Sequence, residues 1–461
     1  MDVPECPGCR ARVARIAELE ARVLALETQV RDLLDKLKPP SPRVQTTQPP
    51  APAKKPTGKK PGAQPGHPPL MKTLVPPERV NHVVPYVPER CRKCDQPLPA
   101  KMGAKDPEPK RHQVAELPPV MVQITEHQAH GRTCTCCGEV TWATVPAAVR
   151  AYSVGAKFTG LMGLLVGVHG VSKRGVEEFV EQAFDVSIAL GTVSNREQEL
   201  SDALASAHAE ARQAIASADV KHADETGWKE AGKKRWLWVA AIPSAVYFVI
   251  HPCRNLSALK SLVGEKFHGI LCSDRWCVYD EWPRGMRQLC WAHLKRNWEK
   301  QVERGGAAKR VGEAWLEVQS QAFELWHRFK DANCTRHELG DQMAPLMLAM
   351  MGILESGRRS RDGVLVRFCA RLAEVSADLW TFVVEEGVEP TNNHAERVLR
   401  RAVLWRRRSF GCHSADGCRF VERILTVVQT LRQQKRSVLA FLSETIQAHR
   451  AETTVPRLVM G

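Results

Sequence analysis

Along this 461-residue chain the spacing of hydrophobic positions changes several times, and each change predicts a different element. Near the N-terminus, apolar residues alternate spacings of three and four, which is the a/d pattern of a coiled coil. These residues are Ile16, Leu19, Val23, Leu26, Val30, Leu33 and Leu37. The pattern favours self-association, and the alternative is a helix that packs against its own protein.

Further along, between about residues 155 and 214, the hydrophobic period is helical. Residues 171–180 and 188–199 predict two short helices separated by a break, with Ser187 as the cap of the second helix. The spacing is typical of a helix-turn-helix, in which Lys173 and Arg174 would contact DNA. An ordinary pair of helices is an equally good interpretation.

The next pattern is that of strands. Polar residues alternate with small or apolar ones up to a break at Gly227, which predicts a short central strand with Asp224 near its end. Residues 235–240 and 246–250 predict a hairpin with a proline-serine turn between its strands.

A helix predicted at residues 257–263 leads to a second apolar strand, residues 269–274, which ends at Asp274. Residues 287–293 predict another strand, and residues 294–386 are helical without strand patterning. This order indicates an α/β core, and binding sites in such sheets lie at the carboxyl ends of the strands.

The composition of the chain predicts the kind of partner it binds and the compartment it occupies. Lys and Arg number 66 against 51 Asp and Glu, and the net charge of +15 favours a polyanion such as nucleic acid. No apolar run approaches the roughly 20 residues of a spanning helix, and the N-terminus lacks the regions of a signal peptide. Fifteen cysteines, several in Cys-x-x-Cys pairs, fit a reducing compartment and metal binding better than disulfides. We therefore expect a cytoplasmic protein.

Two segments before the helical region have distinct chemistry. Residues 39–69 are rich in proline and lysine and have no acidic residue, which predicts an extended linker that touches phosphates non-specifically. Two Cys-x-x-Cys pairs then predict one structural zinc ion, with a small hairpin at residues 120–127 between them. The four ligands would be Cys91, Cys94, Cys134 and Cys137. A further pair, Cys6 and Cys9, supplies two of the ligands that a metal site across a dimer would need.

Three carboxylates form the candidate site: Asp224 and Asp274 at strand ends, and Glu396 on a predicted helix. Carboxylate oxygens are the ligands required by two Mg²⁺ ions about 3.5 to 4 Å apart, which activate a water or a 3′-hydroxyl and stabilise the leaving oxygen. The alternative for Asp224 is a solvated turn. The alternatives for Glu396 are a capping box with Asn393 and an ion pair with Arg400.

Four motifs occur in order along the chain: His-Ala-Asp224-Glu-Thr, Ser273-Asp274-Arg-Trp-Cys-Val-Tyr279, Cys290-Trp-Ala-His293-Leu-Lys-Arg296 and Thr391-Asn-Asn-His-Ala-Glu396-Arg397. Together they resemble the large transposase of insertion-sequence family sixty-six. The match extends to residues 60–67, to the cysteine pairs and to residues 409–411. The resemblance implies a ribonuclease-H-like core whose Asp-Asp-Glu triad cuts and joins transposon ends with two Mg²⁺ ions, for which Mn²⁺ can substitute. The triad carried over is Asp224, Asp274 and Glu396.

Two further groups of residues flank the triad. Cys290 and His293 match a signature seen between the second and third acids of several transposase groups, and we interpret the pair as structural, with metal binding as the alternative. Six arginines follow the glutamate within twelve positions, where phosphate contacts are predicted and a solvated helix face is the alternative. They are Arg397, Arg400, Arg401, Arg406, Arg407 and Arg408.

The sequence thus predicts an α/β multidomain protein with a ribonuclease-H-like, mixed-sheet catalytic core and a helical insertion. Its predicted segments are a coiled coil (1–38), a basic linker (39–77), a zinc-binding domain (78–150), a helical DNA-binding region (151–214), the first part of the core (215–297), the insertion (298–388), the glutamate helix with C-terminal helices (389–450) and a tail (451–461). The expected partners are double-stranded DNA of the transposon ends and target, further copies of the chain, and small accessory proteins of the same element. The alternative function is a catalytically silent, zinc-containing protein that binds transposon ends or represses transcription.

Overall fold

The structure of the protein is a computed structural model that describes residues 74–99, 101, 103, 106–118 and 120–460. The predicted coiled coil, Cys6, Cys9 and residues 39–73 of the linker lie outside the described residues. The chain divides into two units, Met1–Glu116 and Leu117–Gly461. In the first unit the described residues include a single turn of 3₁₀-helix, Pro77–Arg79, and the loop that carries Cys91 and Cys94.

The second unit begins with a hairpin and five helices. Strands β1 (Gly131–Thr133) and β2 (Val140–Trp142) pair antiparallel around Cys134 and Cys137. The helices are α1 (Ala147–Arg150), α2 (Ala156–Gly167), α3 (Lys173–Phe184), α4 (Leu190–Ala203) and α5 (Ala205–Ser217). The hairpin predicted at residues 120–127 is wrong: that segment forms no strand, and most of its apolar side chains, those of Val120, Met121 and Ile124, are exposed.

The predicted pair of helices is present as α3 and α4. Ser172 caps α3 by accepting a hydrogen bond from the N–H of Gly175 at 3.1 Å, and Asp185 ends the helix in the left-handed conformation, with φ of 53°. The cap predicted at Ser187 is wrong, since α4 begins at Leu190 after Ala189. Val186 and Ile188 pack against the helical core, which keeps the connecting segment extended for two further residues.

The centre of the second unit is a mixed five-stranded sheet in the order β5-β4-β3-β6-β7. Its elements are β3 (Val220–Glu230), β4 (Lys233–Ile242), β5 (Ala245–His251), helix α6 (Leu256–Val263), β6 (Ile270–Ser273) and β7 (Arg287–Leu289). The first three strands are antiparallel, and β6 and β7 run parallel to β3. The predicted hairpin, helix and second strand are confirmed, and so is the mixed α/β class.

Strand β3 is longer than predicted. It continues through Gly227 to Glu230 because β4 pairs with it over that whole length, so the turn predicted at Gly227 is wrong. On its other side, β6 pairs with only three residues of β3, of which His222 is the last. Asp224 therefore lies just beyond the parallel part of the sheet, at its carboxyl edge.

After β7 the chain forms the predicted helical insertion. Its helices are α7 (Trp291–Glu303), α8 (Gly306–Lys330), α9 (Arg336–Arg358), α10 (Gly363–Glu374) and α11 (Thr381–Val384). Its core is built around Trp291, Trp298, Trp315, Trp326 and Trp380. The strand predicted at residues 287–293 is wrong in its second half: β7 ends at Leu289, and Cys290 is the residue before α7.

Three helices complete the unit: α12 (Asn393–Ser409), α13 (Ala415–Gln433) and α14 (Val438–Arg450). One face of the sheet packs against α12 and α13 and the other against α5, α6 and the 3₁₀ turn Cys277–Glu281. Helices α2 to α5 share one hydrophobic core with α13 and α14. No helix in the described part of the chain has the length and apolar character needed to cross a membrane.

The outer edge of strand β5 is covered by side chains of α13. The backbone N–H groups of Val246, Phe248 and Ile250 donate to side-chain oxygens of Thr430, Thr426 and Glu422 at 2.9, 3.0 and 2.5 Å. Two residues of a strand span about 6.8 Å and four residues of a helix about 6.0 Å. The N–H groups of β5 and the side-chain oxygens of α13 therefore have nearly the same spacing. The helix thus satisfies the donors that an edge strand leaves unpaired.

Candidate active site

The register of the sheet determines which way the acidic residues of β3 point. Asp224 lies opposite Val239 of β4, and Val239 belongs to the core on the α12 side of the sheet. Glu225 lies opposite Trp238, and Trp238 belongs to the core on the other side of the sheet. Because side chains alternate along a strand, Asp224 faces the helix that carries Glu396, and Glu225 faces away from it.

Asp224 is held in an environment that disfavours its charge. Burial raises the pKa of Asp224 to about 8, and the negative charges of Glu225, Asp274 and Glu396 add to the shift. A hydrogen bond from the N–H of Glu225 to Oδ1 of Asp224, at 2.9 Å, opposes it. A carboxylate crowded by other carboxylates is stabilised by a cation, which is the electrostatic signature of a site rather than of a solvated turn.

Asp274 follows β6 directly, on the strand next to β3. Its Oδ1 accepts a hydrogen bond from the N–H of Trp276 at 2.9 Å, which orients the carboxylate. The carbonyl of Ser273 accepts from the N–H of Cys290 at 2.9 Å, so the start of α7 is fastened beside it. Since β3 and β6 are parallel, Asp224 and Asp274 lie at the same edge of the sheet.

Glu396 lies in the first turn of α12. It makes neither the capping box with Asn393 nor the ion pair with Arg400 that were the alternatives from the sequence. The residue before the helix is Asn392, whose side chain makes no capping bond, so the capping box of Asn393 and Glu396 is wrong. Glu396 Oε1 lies 3.5 Å from Nδ1 of His293 and 3.6 Å from Nη2 of Arg296. The ion partner Arg296 and the neighbouring His293 therefore come from α7, not from the next turn of α12.

Two of these atoms are buried without a hydrogen bond. Glu396 Oε1 and His293 Nδ1 are both shielded from solvent, and neither makes a hydrogen bond in the described part of the chain. Burial, and then the charge of Arg296, lower the pKa of His293, so its ring is neutral near pH 7. A buried carboxylate oxygen that lacks a donor is suited to accept a cation.

Cys290 joins His293 and Glu396 in a compact group. The thiol sulfur, an imidazole nitrogen and a carboxylate oxygen all lie within 4.8 Å of one another, the one such group of potential metal ligands in the described residues. Burial raises the pKa of the Cys290 thiol. The geometry is compatible with both interpretations of the Cys-x-x-His pair, a structural support for Glu396 and a metal ligand pair.

Asn392 links the elements of the site, a role that the sequence did not reveal. It is 1% exposed. Its Nδ2 donates to the carbonyl of Ala223 at 2.7 Å, its Oδ1 lies 3.1 Å from Nδ1 of His222, and its N–H donates to Sγ of Cys290 at 3.2 Å. Burial lowers the pKa of His222 to about 4, so the ring is neutral and its Nδ1–H is the donor to Asn392. Asn392 therefore ties α12 to β3, beside Asp224, and to the start of α7.

On the opposite face, Glu225 is held away from the site. Its Oε1 accepts from Nε of Arg254 at 2.9 Å, and its Oε2 accepts from the hydroxyl of Tyr279. The guanidinium of Arg254 lies over the rings of Trp276 and Trp236, at 3.9 and 4.9 Å from their centroids. These contacts hold Glu225 on the face of the sheet away from Glu396.

The predicted DNA-contact residues divide into two groups. The exposed side chains are Arg174, Arg397, Arg400, Arg401, Arg407 and Arg408. Two of the eight are half-buried and bonded within the protein: Lys173 pairs with Glu197 at 3.0 Å, and Arg406 donates to Thr226 Oγ1 at 3.0 Å. Arg406 also donates to the carbonyl of Gly227, so it fastens α12 to β3.

Each Cys-x-x-Cys pair lies in a tight loop with the same hydrogen bonds. In both loops the N–H of the first cysteine donates to the carbonyl of the residue five positions later. The N–H of the residue four positions later donates to the carbonyl of that cysteine, and all four distances are 2.8 to 2.9 Å. Backbone N–H groups lower the pKa of Cys91 and of Cys134, those of Lys93 and Cys137 having the largest effect. The thiolate is the form that binds zinc, so each loop by itself suits a pair of zinc ligands.

Comparison with known proteins gives a family. A family model described as Transposase IS66 family matches residues 168–419, which is more than half of the chain. The matched segment contains Asp224, Asp274 and Glu396, together with the Cys290–His293 pair. No curated protein matches the chain significantly.

Proposed function

The chain belongs to the IS66 family of transposases, and from that membership we propose that it is a DDE-type enzyme. It would cleave phosphodiester bonds at transposon ends and join the freed 3′-hydroxyl to target DNA. One observation carries the proposal: Asp224 and Asp274 lie at the same edge of a mixed sheet, and Asp224 faces α12, which presents the buried Oε1 of Glu396 without a hydrogen bond.

The residues present suit divalent cations with a preference for oxygen. Asp224, Asp274 and Glu396 would hold two Mg²⁺ ions, for which the raised pKa of Asp224 and the unbonded oxygen of Glu396 are the supporting evidence. Bound there, the cations would activate the attacking water or 3′-hydroxyl and stabilise the leaving oxygen. The mixed sheet with helices on both faces supports the ribonuclease-H-like assignment of the core.

The protein's own groups position this chemistry. Asp224 releases its proton when its charge becomes compensated, because only the ionised carboxylate is a strong ligand. Arg296 and the neutral ring of His293 orient Glu396 from α7. Asn392 keeps the helix of Glu396 in register with the strand of Asp224. Positioning by such contacts allows three acids that are distant in sequence to act together.

The test is a strand-transfer assay with the full chain, Mg²⁺ and a duplex that carries the terminal sequence of the element encoding it. We expect nicked ends and joined products, and we expect Mn²⁺ to replace Mg²⁺. A protein that binds the ends but leaves them uncut at every concentration of either cation is instead the catalytically silent DNA-binding protein. The complete set of three acids argues against that outcome, since a silent protein has no chemical need for them.

Binding of Mg²⁺ is expected to depend on pH through Asp224. Its pKa of about 8 means that the carboxyl is protonated at pH 6.5, and the cation must displace that proton. Each pH unit below 8 should therefore weaken Mg²⁺ binding by about tenfold, as expected for one displaced proton. The measurement is the increase of the melting temperature on adding Mg²⁺ at pH 6.5 and at pH 8.5. The concentration is about 5 mM, roughly the magnitude used for weak protein sites. Equal increases at the two pH values in the wild type would contradict the prediction, and Asp224→Asn is the control that removes the titrating group.

We also propose that Cys91, Cys94, Cys134 and Cys137 bind one structural zinc ion. Metal analysis of the purified full chain is expected to give about one zinc per chain. The variants Cys91→Ser and Cys134→Ser should each lose it, because three ligands bind far more weakly than four. Cys253→Ser is the matched control, since Cys253 is an exposed free cysteine outside both loops. Zinc that persists in Cys91→Ser but disappears in Cys290→Ser would assign the metal to the other group.

Assembly completes the proposal. Self-association through residues 1–38 would bring two active sites to the two ends of one element, and small accessory proteins of the same element are further candidate partners. The apolar a/d positions support the first point, since they predict a coiled coil.

A further inference from the structure

A cavity of about 180 Å³ lies between α12, α13 and the loop that joins α2 to α3. Arg401 and Arg408 line it from α12, two turns apart on the same side of that helix. Arg432 lines it from α13, and Trp405 forms part of an apolar wall. No acidic residue is among the side chains that line the cavity.

The three guanidinium groups are only partly compensated by the protein. Arg408 donates to the carbonyl of His169 at 2.7 Å. In the described part of the chain, the side chains of Arg401 and Arg432 make no hydrogen bond or ion pair. Burial and the charge of Arg401 lower the pKa of Arg432, so the two cations repel each other across the cavity. Like charges gathered around a cavity without a counter-charge are stabilised by an anion.

We propose that this cavity, which we call the arginine cavity, binds a phosphate group of the DNA backbone. Guanidinium groups donate in pairs to phosphate oxygens, and three of them around one cavity match a tetrahedral anion. A water molecule takes about 30 Å³ of liquid, so the volume holds a phosphate group with part of its hydration shell.

The proposal rests on the proposed function, because the phosphate would be one in the DNA of a transposon end. The cavity lies between two parts of the protein for which DNA contacts are predicted. The loop on one side leads into α3, the first helix of the pair for which a helix-turn-helix was one interpretation, and α12 on the other side carries Glu396 five residues before Arg401. A phosphate held there would fix the DNA strand relative to the helix of Glu396.

The experiment measures binding of the full chain to the end duplex at several salt concentrations, for the wild type and Arg432→Gln. We expect Arg432→Gln to weaken binding by about tenfold, the loss typical of a charged hydrogen bond, and to reduce the slope of log affinity against log salt by about one. The matched control is Arg419→Gln, which removes the same charge from the same helix outside the cavity, where Arg419 pairs with Asp416. Arg401→Gln, at an exposed position, serves as a second variant if Arg432→Gln does not fold.

A duplex in which single phosphates are replaced by neutral methylphosphonates identifies the contact. One replacement should weaken binding to the wild type and cause no further loss with Arg432→Gln. If Arg432→Gln and Arg401→Gln bind and respond to salt as Arg419→Gln does, the proposal is overturned. If the wild type neither binds nor joins the ends, the proposed function fails instead, so the two failures are distinguishable.

A second arm separates backbone phosphate from free phosphate. Inorganic phosphate at constant ionic strength is added to the wild type and to Arg432→Gln, and the melting temperature is measured. Stabilisation of the wild type alone, together with DNA binding that is unchanged in Arg432→Gln, would assign the cavity to a free anion and overturn the DNA contact. Weaker DNA binding by Arg432→Gln, with competition by phosphate, supports the proposal.

Discussion

Asp224→Asn is expected to lower the rate of end cleavage by about 10³-fold or more, the scale of losing a charge that stabilises a transition state through bound cations. The same change is expected to raise the melting temperature of the metal-free protein. The reason is the environment of Asp224, where burial and three neighbouring acids oppose the ionised form. Asparagine keeps the shape and a hydrogen-bond acceptor but carries no charge.

The sign of the stability effect follows from the two pKa values. An unfolded aspartate has a pKa of about 4, and in the folded protein the pKa of Asp224 is about 8. The folded state therefore binds the proton more tightly, and the contribution of this group is fully favourable below about pH 4 and is lost as pH rises towards 8. Asp224→Asn should remove that part of the pH dependence.

The measurements are cleavage of the end duplex with Mg²⁺ and thermal unfolding without it. Asp219→Asn is the matched control, because Asp219 precedes the same strand and its side chain is 93% exposed. Its cleavage rate should stay near that of the wild type. Loss of activity accompanied by a lower melting temperature would indicate that Asp224 is a structural residue, and the assignment would be wrong.

Asn392→Ala is expected to lower kcat for end cleavage by about 100-fold, the loss that a displacement of about 1 Å causes at a catalytic site. The substitution removes the donor to Ala223 and the acceptor for His222, and it leaves both partners buried. The side-chain hydrogen bonds of residue 392 that connect the start of α12 to β3 are then lost. The KM for the end duplex should change little, because Asn392 is buried and does not contact DNA.

Asn393→Ala provides the matched control for this positioning role. Asn393 is the next residue, begins α12 and is exposed, so its loss removes the same chemical group without touching the linkage. The melting temperature of each variant shows how much protein is folded at the assay temperature. If the activity of Asn392→Ala falls only in proportion to its folded fraction, Asn392 has a purely structural role.

The sequence predicted those parts of the fold that depend on local pattern. The hairpin of β4 and β5, helix α6 and the strand before Asp274 were evident because their apolar residues alternate or recur with the correct period. The family resemblance is confirmed, and it named three acids that no local pattern would have grouped. The roles of those acids remain predictions.

Errors occurred where long-range contacts override the local pattern. Gly227 lies inside a strand because β4 pairs with β3 beyond it, and the predicted strand from Arg287 ends at Leu289, after which a helix begins at Trp291. The linkage through Asn392 joins residues 169 and 170 positions apart, so no window of sequence contains it. Asn392 and Asn393 are adjacent asparagines in the sequence, and only burial distinguishes them.

The match between α13 and the edge of β5 has a consequence for crowding. A bare edge strand can recruit the edge of another molecule and begin a growing stack, a danger that rises with local concentration. Thr430, Thr426 and Glu422 occupy those donors, so this side of the sheet offers no template for such growth. Copies gathered on one DNA element can therefore be held close together without aggregating through this edge.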